Sequence, residues 1–238
     1  MPGWLKRSWL WIVAAVLLVV TVGVGVWGSL LHAMEQPGFW ESEIADFEEQ
    51  DRANPPAPGA VLFTGSSSIR MWSTLAQDMQ PLRVLNRGFG GSHIDHVNYF
   101  APRIVLPYRP CAVVLYAGDN DLSEGTGKTP ESVLADFEHF VSIVHGAWPD
   151  VPVYFLSIKP SRLRWDRWPL MREANARIGD FARATPGVEY VDVATPMLSE
   201  KGLPRAELFA FDGLHLNARG YALWTSILKP LLLERCGP

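Results

Sequence analysis

Four short stretches carry residues whose types could do nucleophilic and acid–base chemistry. "TGSSSIRMW", Thr64 to Trp72, places Ser66, Ser67 and Ser68 directly after an apolar run. A serine hydroxyl becomes a nucleophile only when a neighbouring base takes its proton. "FDGLHLN", from Phe211, places Asp212 three residues before His215. Histidine is the side chain suited to take a proton near neutral pH, and a carboxylate on its other ring nitrogen fixes tautomer and orientation. "GDND", from Gly118, sets Asn120 and Asp121 behind a second apolar run, where an asparagine amide can donate to an oxyanion. "NRGFGGS", from Asn86, supplies Gly88, Gly90 and Gly91, where backbone without Cβ can approach a ligand and expose its N–H. Each stretch alone has a plain structural reading as well. Serine and aspartate cap helices, and Asn, Asp and Gly make turns. The glycine run does not match a dinucleotide fingerprint, and no Walker pattern is present.

The elements that must position these residues can be read from the hydropathy pattern. Strand-like runs are "AVLFTG" from Ala60, "LRVLNRG" from Leu82, "CAVVLYAG" from Cys111, "VPVYFLSI" from Val151 and "VEYVDV" from Val188. Between and after them lie helix candidates: Ile69 to Gln77, Ile94 to Ile104, Pro130 to Trp148, Pro169 to Thr185, and Asn217 to Leu233. Val133, Phe137, Phe140, Val141 and Val144 recur at helical spacing. Strand and helix in alternation predict an α/β fold, a three-layer sandwich around a mostly parallel five-stranded sheet. The strands are almost continuously apolar, as they must be when helices cover both faces. Ligands of such sheets bind beyond the carboxyl ends of the strands. The four stretches follow strands or precede the last helix, so the fold would bring them to one edge.

Taken in chain order, these blocks resemble the SGNH/GDSL hydrolase family, in particular its lysophospholipase L1-like and acetylhydrolase-like esterases. Gly65-Ser66-Ser67-Ser68 is similar to the Gly-Asp-Ser block, Asn86 to Ser92 to the glycine-rich block, Gly118 to Asp121 to the Gly-x-Asn-Asp block, and Asp212 to His215 to the Asp-x-x-His block. The resemblance spans about Ala60 to Leu233. It implies a flavodoxin-like SGNH hydrolase fold and a serine esterase or lipase-type activity on carboxylic esters. It also implies a catalytic triad of Ser67, His215 and Asp212. The implied oxyanion hole is the backbone N–H of Ser67, the backbone N–H of Gly91 and the Asn120 amide. No metal or organic cofactor is implied. Ser66 stands where the name-giving aspartate would be, which keeps it as an alternative nucleophile. Ser68 would then make a structural cap or a backbone bond, and Asp121 a support. Within the same resemblance the substrate could be a lipid, a short acyl ester or an acetylated glycan of the cell envelope, making the protein a carbohydrate O-acetylesterase in the last case. A catalytically silent binding domain is the reading from another class.

Other residues invite stories. His93 and His96 flank Asp95 in a pattern that could suggest a metal, but no third ligand cluster is evident and a helix face near the site mouth explains them. "SIKPSRLRWDRW", from Ser157, is basic and aromatic. Its Arg162, Arg164 and Trp165 could line a cleft or face solvent.

The chain has 238 residues, 48% of them hydrophobic and 19% charged, with a formal net charge of −4. That suits one domain with a sizeable core and excludes the basic surface of a nucleic-acid binder. Lys6 and Arg7 precede an uncharged run from Trp9 to Leu31, longer than the roughly 20 residues that cross a bilayer as a helix. Tryptophans 4, 9, 11 and 27 lie near its ends. A cleaved signal peptide would have a shorter apolar region and a small-x-small site. The expectation is a single-pass anchor at 9–31, with residues 1–8 cytoplasmic by the positive-inside rule. An acidic helix and Pro-rich connector would follow at 32–58, then a hydrolase domain at 59–238 on the periplasmic or extracellular side. Cys111 opens a strand and Cys236 sits at the chain end, so both are expected to be unpaired thiols.

Overall fold

The computed structural model describes residues 16, 18–23 and 36–237. The expected membrane span at 9–31 lies outside the described residues, apart from the helical residues 16 and 18–23. Among the described residues no helix is long and apolar enough to cross a membrane. The chain divides into two units after Glu41. In the first, a 3-10 turn spans Pro37–Trp40, and the rings of Phe39 and Trp40 meet edge to face at 5.2 Å. The second, from Ser42 onward, holds the sheet and every candidate site residue.

Five strands form that sheet: β1 (Val61–Gly65), β2 (Val84–Gly88), β3 (Ala112–Tyr116), β4 (Val153–Leu156) and β5 (Val188–Val191). Their order is β2-β1-β3-β4-β5, and every pairing is parallel. The three inner strands are buried along their whole length, while the edge strands β2 and β5 are partly open. This is the burial that continuous apolar runs require when helices cover both faces.

The helices are α1 (Glu41–Ala53), α2 (Ser67–Arg70), α3 (Leu75–Asp78), α4 (Ile94–Ile104), α5 (Pro130–Ala147), α6 (Trp168–Ala184) and α7 (Ala218–Cys236). One face of the sheet packs Val61, Phe63, Val114 and Tyr116 against Ile69, Trp72, Leu75, Trp224 and Leu228 from α2, α3, α7 and their connections. On the other face Phe137 of α5 meets Phe155 of β4 at 4.8 Å. The start of α5 shows how the sequence sets a boundary. Thr129 Oγ1 accepts the Ser132 N–H while Ser132 Oγ accepts the Thr129 N–H, and Pro130 follows the cap, where its missing donor costs nothing. Val133, Phe137, Phe140, Val141 and Val144 are then all buried, as their spacing predicts.

Two expectations fail. The helix expected over Ile69 to Gln77 is two short helices, α2 and α3, with a break between them. Trp72 drives the break: it is buried, stacks on Tyr221 at 5.0 Å, and its indole N–H donates to Asp78. Burying that ring in the core outweighs continuing a short helix. The second failure concerns the cysteines, which are not free thiols. Cys111 and Cys236 form a disulfide, with Cα atoms 5.9 Å apart. The chain end is not frayed: α7 buries Trp224, Leu228 and Leu232 and continues to Cys236. Its last turn therefore finishes beside the start of β3.

Candidate active site

The strands end at the residues that could do chemistry. β1 ends at Gly65, whose φ is +126°. A Cβ there would lie 1.9 Å from the Tyr116 carbonyl oxygen of β3, so only glycine fits. That sharp exit delivers the chain into α2, with Ser67 as its first residue. Ser66 N–H donates to the same Tyr116 carbonyl at 2.8 Å, which fixes the turn to the middle of the sheet.

His215 arrives from the other end of the chain. An isolated bridge between Phe209 and Leu216 closes the loop that carries it, and the Ala210 N–H donates to the His215 carbonyl at 2.8 Å. Asn217 then caps α7, accepting the N–H groups of Arg219 and Gly220, while its amide donates to the carbonyls of Glu207 and Phe209. The loop is thus rigid at its base. His215 Nε2 lies 3.0 Å from Ser67 Oγ, and His215 Nδ1 lies 2.5 Å from Asp212 Oδ2. Asp212 Oδ1 accepts the N–H groups of Leu214 and His215. Partial burial alone would raise the Asp212 carboxyl, but the His215 ring and those two N–H groups hold it down at about 2. It therefore stays an anion beside the imidazole.

The oxyanion side is built from β2 and β3. Asn120 is largely buried, and Nδ2 donates one hydrogen to the Ser92 carbonyl at 3.2 Å. Its second hydrogen is left to donate elsewhere. Gly91 has φ +79°. Among the described residues, nothing accepts the N–H of Ser67 or of Gly91. The N–H of Gly90 favours the Glu43 anion, against the effect of burial. That favours Gly91 over Gly90 as a donor.

Ser66 is fully buried and its Oγ has no hydrogen-bond partner. The alternative serine is therefore out of reach of the histidine. Ser68 departs from its expected capping role: its Oγ is also buried without a partner, and only its carbonyl is used, accepting the Tyr221 hydroxyl. Asp121 behaves as a support. It is fully buried and accepts the Ile94 N–H at the start of α4, with burial raising its carboxyl to about 6. The histidine pair has a structural explanation. His93 caps α4, its N–H donates to His96 Nδ1, and the two rings stack at 4.7 Å. Burial, with Lys128 nearby, holds His93 down at about 4, so it is neutral. Asp95, Asp121 and Asp136 converge closely enough to hold a cation, and the Lys128 ammonium fills that role at 2.7, 3.6 and 2.8 Å respectively.

Residues 54–223 match the GDSL-like Lipase/Acylhydrolase family. The chain belongs to that family. As a GDSL-like acylhydrolase it is an enzyme of an ester-hydrolysing family, and acyl esters are its substrate class. Solved structures share the fold. A candidate platelet activating factor from Streptococcus pneumonia is 19% identical, with a TM-score of 0.74 over 89% of this chain and 99% of that one. A GDSL-like lipase from Bacteroides thetaiotaomicron is 20% identical, with a TM-score of 0.70 over 80% and 97%. The lipase/acylhydrolase from Enterococcus faecalis is 18% identical, with a TM-score of 0.58 over 74% and 96%. No curated protein matches the chain.

In this GDSL-like acylhydrolase the basic loop after β4 exposes Arg162 and Leu163 to solvent while other residues of it are tied down. It is a strap. Arg164 donates to the Asp119 carbonyl and Arg167 to the Leu122 carbonyl. The N–H groups of Arg162 and Leu163 donate to the Gly213 carbonyl. The loop so ties the Asn120 block to the His215 block. Trp165 stacks on Trp168 at 6.1 Å. Sequence reasoning missed Lys159, which is buried with its ammonium 2.7 Å from Asp119 and 3.0 Å from the Tyr116 hydroxyl. Burial pushes the Asp119 carboxyl up, and Lys159 and Arg164 pull it down further, to about 2. A lysine directly after a strand-like apolar run, at the sheet edge where the other blocks gather, was the one available signal, since a buried lysine demands a partner.

Proposed function

We propose that this protein is a membrane-anchored serine esterase that hydrolyses carboxylic esters through Ser67, His215 and Asp212. The observation that carries the reading is the hydrogen-bonded chain from Ser67 Oγ through the His215 ring to Asp212. Ser67 Oγ attacks the ester carbonyl as its proton passes to His215 Nε2. The tetrahedral oxyanion is held by the N–H of Ser67, the N–H of Gly91 and the second Asn120 amide hydrogen. Collapse breaks the ester C–O bond, and the departing alcohol takes the proton from His215. A water then repeats the sequence on the acyl-serine, releasing the carboxylic acid and restoring Ser67. Asp212 keeps the Nδ1–H tautomer and balances the imidazolium. No cofactor enters any step.

The uncharged run at 9–31 supports an anchor, and Lys6 and Arg7 ahead of it support a cytoplasmic N-terminus with the hydrolase unit on the far side. A disulfide suits an oxidising compartment. The substrate is then an acyl ester within reach of the membrane surface, lipid or envelope glycan.

Labelling with a fluorophosphonate tests the chemistry directly. The full-length wild type is expected to label and Ser67→Ala is not. A folded wild type that fails to label would overturn the mechanism.

A further inference from the structure

We infer that Glu43 of α1 is a positioning residue for the oxyanion hole, holding the Gly90–Gly91 backbone against the helix that carries Ser67. The inference rests on the ester-hydrolase reading above. Two interactions meet at this carboxylate, and a third joins their partners. The Gly90 N–H favours its anionic form. Arg70 Nη1 lies 3.9 Å from Glu43 Oε1. The Arg70 side chain in turn lies flat against Gly90, for a Cβ on Gly90 would fall 2.7 Å from Arg70 Nη2 and 2.8 Å from Nε. Arg70 is the last residue of α2 and Ser67 is the first. One carboxylate therefore joins two elements that each supply an oxyanion donor.

The need for such a clamp follows from the sequence. Gly90 and Gly91 have no side chains to pack, and glycine explores far more backbone conformations than any other residue. The Gly91 N–H belongs to the peptide that follows Gly90. Pinning the Gly90 N–H leaves few ways for that peptide to turn. A donor aimed before the reaction costs no reorganisation during it.

Glu43 is itself held rigidly. Further along α1, Glu48 makes two hydrogen bonds to Arg103 of α4, at 2.7 and 2.9 Å. Asp51 bonds both Arg87 of β2 and the Tyr108 hydroxyl. Phe47 packs beneath the Arg87 guanidinium, 5.0 Å from ring centroid to Cζ. The whole of α1 precedes residue 54, where the family match begins.

Steady-state hydrolysis of p-nitrophenyl acetate by the full-length chain tests this, with Glu43→Ala, Glu43→Gln and Glu48→Ala beside the wild type. Glu43→Ala should lower kcat about tenfold with KM within about twofold, as expected when a catalytic group is misplaced without loss of ground-state binding. Inhibition by a trifluoromethyl ketone, which forms a tetrahedral adduct on the serine, should weaken by the same factor as kcat/KM. Glu43→Gln still offers an oxygen to the Gly90 N–H and should recover most of the rate. Glu48→Ala loosens α1 without touching Gly90 and should keep it. Wild-type kcat in Glu43→Ala would overturn the inference, and so would an equal loss in Glu48→Ala, which would mean that only helix docking matters. If Glu43→Ala does not fold, a Glu43→Gln enzyme with neither kcat nor Gly90 amide protection changed supports the clamp, and one with protection lost but kcat kept refutes it. A folded wild type that neither turns over esters nor labels with a fluorophosphonate would instead remove the hydrolase reading, and this one with it.

Discussion

Ser66 Oγ is buried with no partner, whereas Ser67 Oγ faces His215 Nε2 at 3.0 Å. Removing the Ser66 hydroxyl takes away an unsatisfied buried group, so Ser66→Ala should change stability by less than about 1 kcal/mol and leave fluorophosphonate labelling intact. Asn120→Ala should cut kcat about a hundredfold or more, since losing one oxyanion donor raises the barrier by about 2.7–4 kcal/mol; kcat and KM measured together on one ester decide it. Asp119 belongs to this scale too. Its carboxyl is held at about 2 in the folded protein, below the ordinary value of about 3.9 in an unfolded chain. The stability this contributes is complete above about pH 4 and is lost as pH falls through about 2. Asp119→Asn would leave the Lys159 ammonium buried and unpaired, a loss of about 3–5 kcal/mol at neutral pH. Urea unfolding of both proteins across that pH range should show the gap narrowing on the acid side. At this scale the sequence was most readable where chemistry and local spacing coincide: Asp212 and His215 lie on one turn. Lys159 was hidden because its partners, Asp119 and the Tyr116 hydroxyl, come from another strand and its end.

At the scale of elements, the turn out of β1 carries the largest demand on sequence. A Cβ at Gly65 would collide with the backbone oxygen of Tyr116, and the positive φ adds strain. Gly65→Ala should therefore prevent folding or lower the melting temperature by many degrees, as read by circular dichroism on heating. Periodic elements announced themselves. The helix over Ile94 to Ile104 is found at those bounds despite Pro102, and the five strand cores lie within the apolar runs. What periodicity could not show was the break between α2 and α3, because it depends on where Trp72 finds room. Nor could it show the strap after β4. A run of arginines reads as solvated until the carbonyls of Asp119 and Leu122 are seen to need donors.

At the scale of the molecule, alternation of strand and helix was enough to place the four blocks on one edge of a parallel sheet, because few connections are open to such a chain. Long-range pairing was not readable: whether α7 ends beside β3 depends on the run of the whole helix. The proposed orientation in the membrane predicts that protease added outside intact cells digests the hydrolase unit, while residues 1–8 stay protected. Digestion only after lysis would reverse the orientation.

The bond between Cys111 and Cys236 closes a covalent ring, 125 residues apart in sequence. Ser67 lies outside that ring, while Asn120 and His215 lie on it. A trypsin cut in the exposed turn at Lys201 would open the ring without releasing either piece. On a non-reducing gel the nicked protein should migrate as one band, and with a reductant as two. A chain severed between its oxyanion loop and its histidine would still travel, sediment and stay tethered as a single molecule.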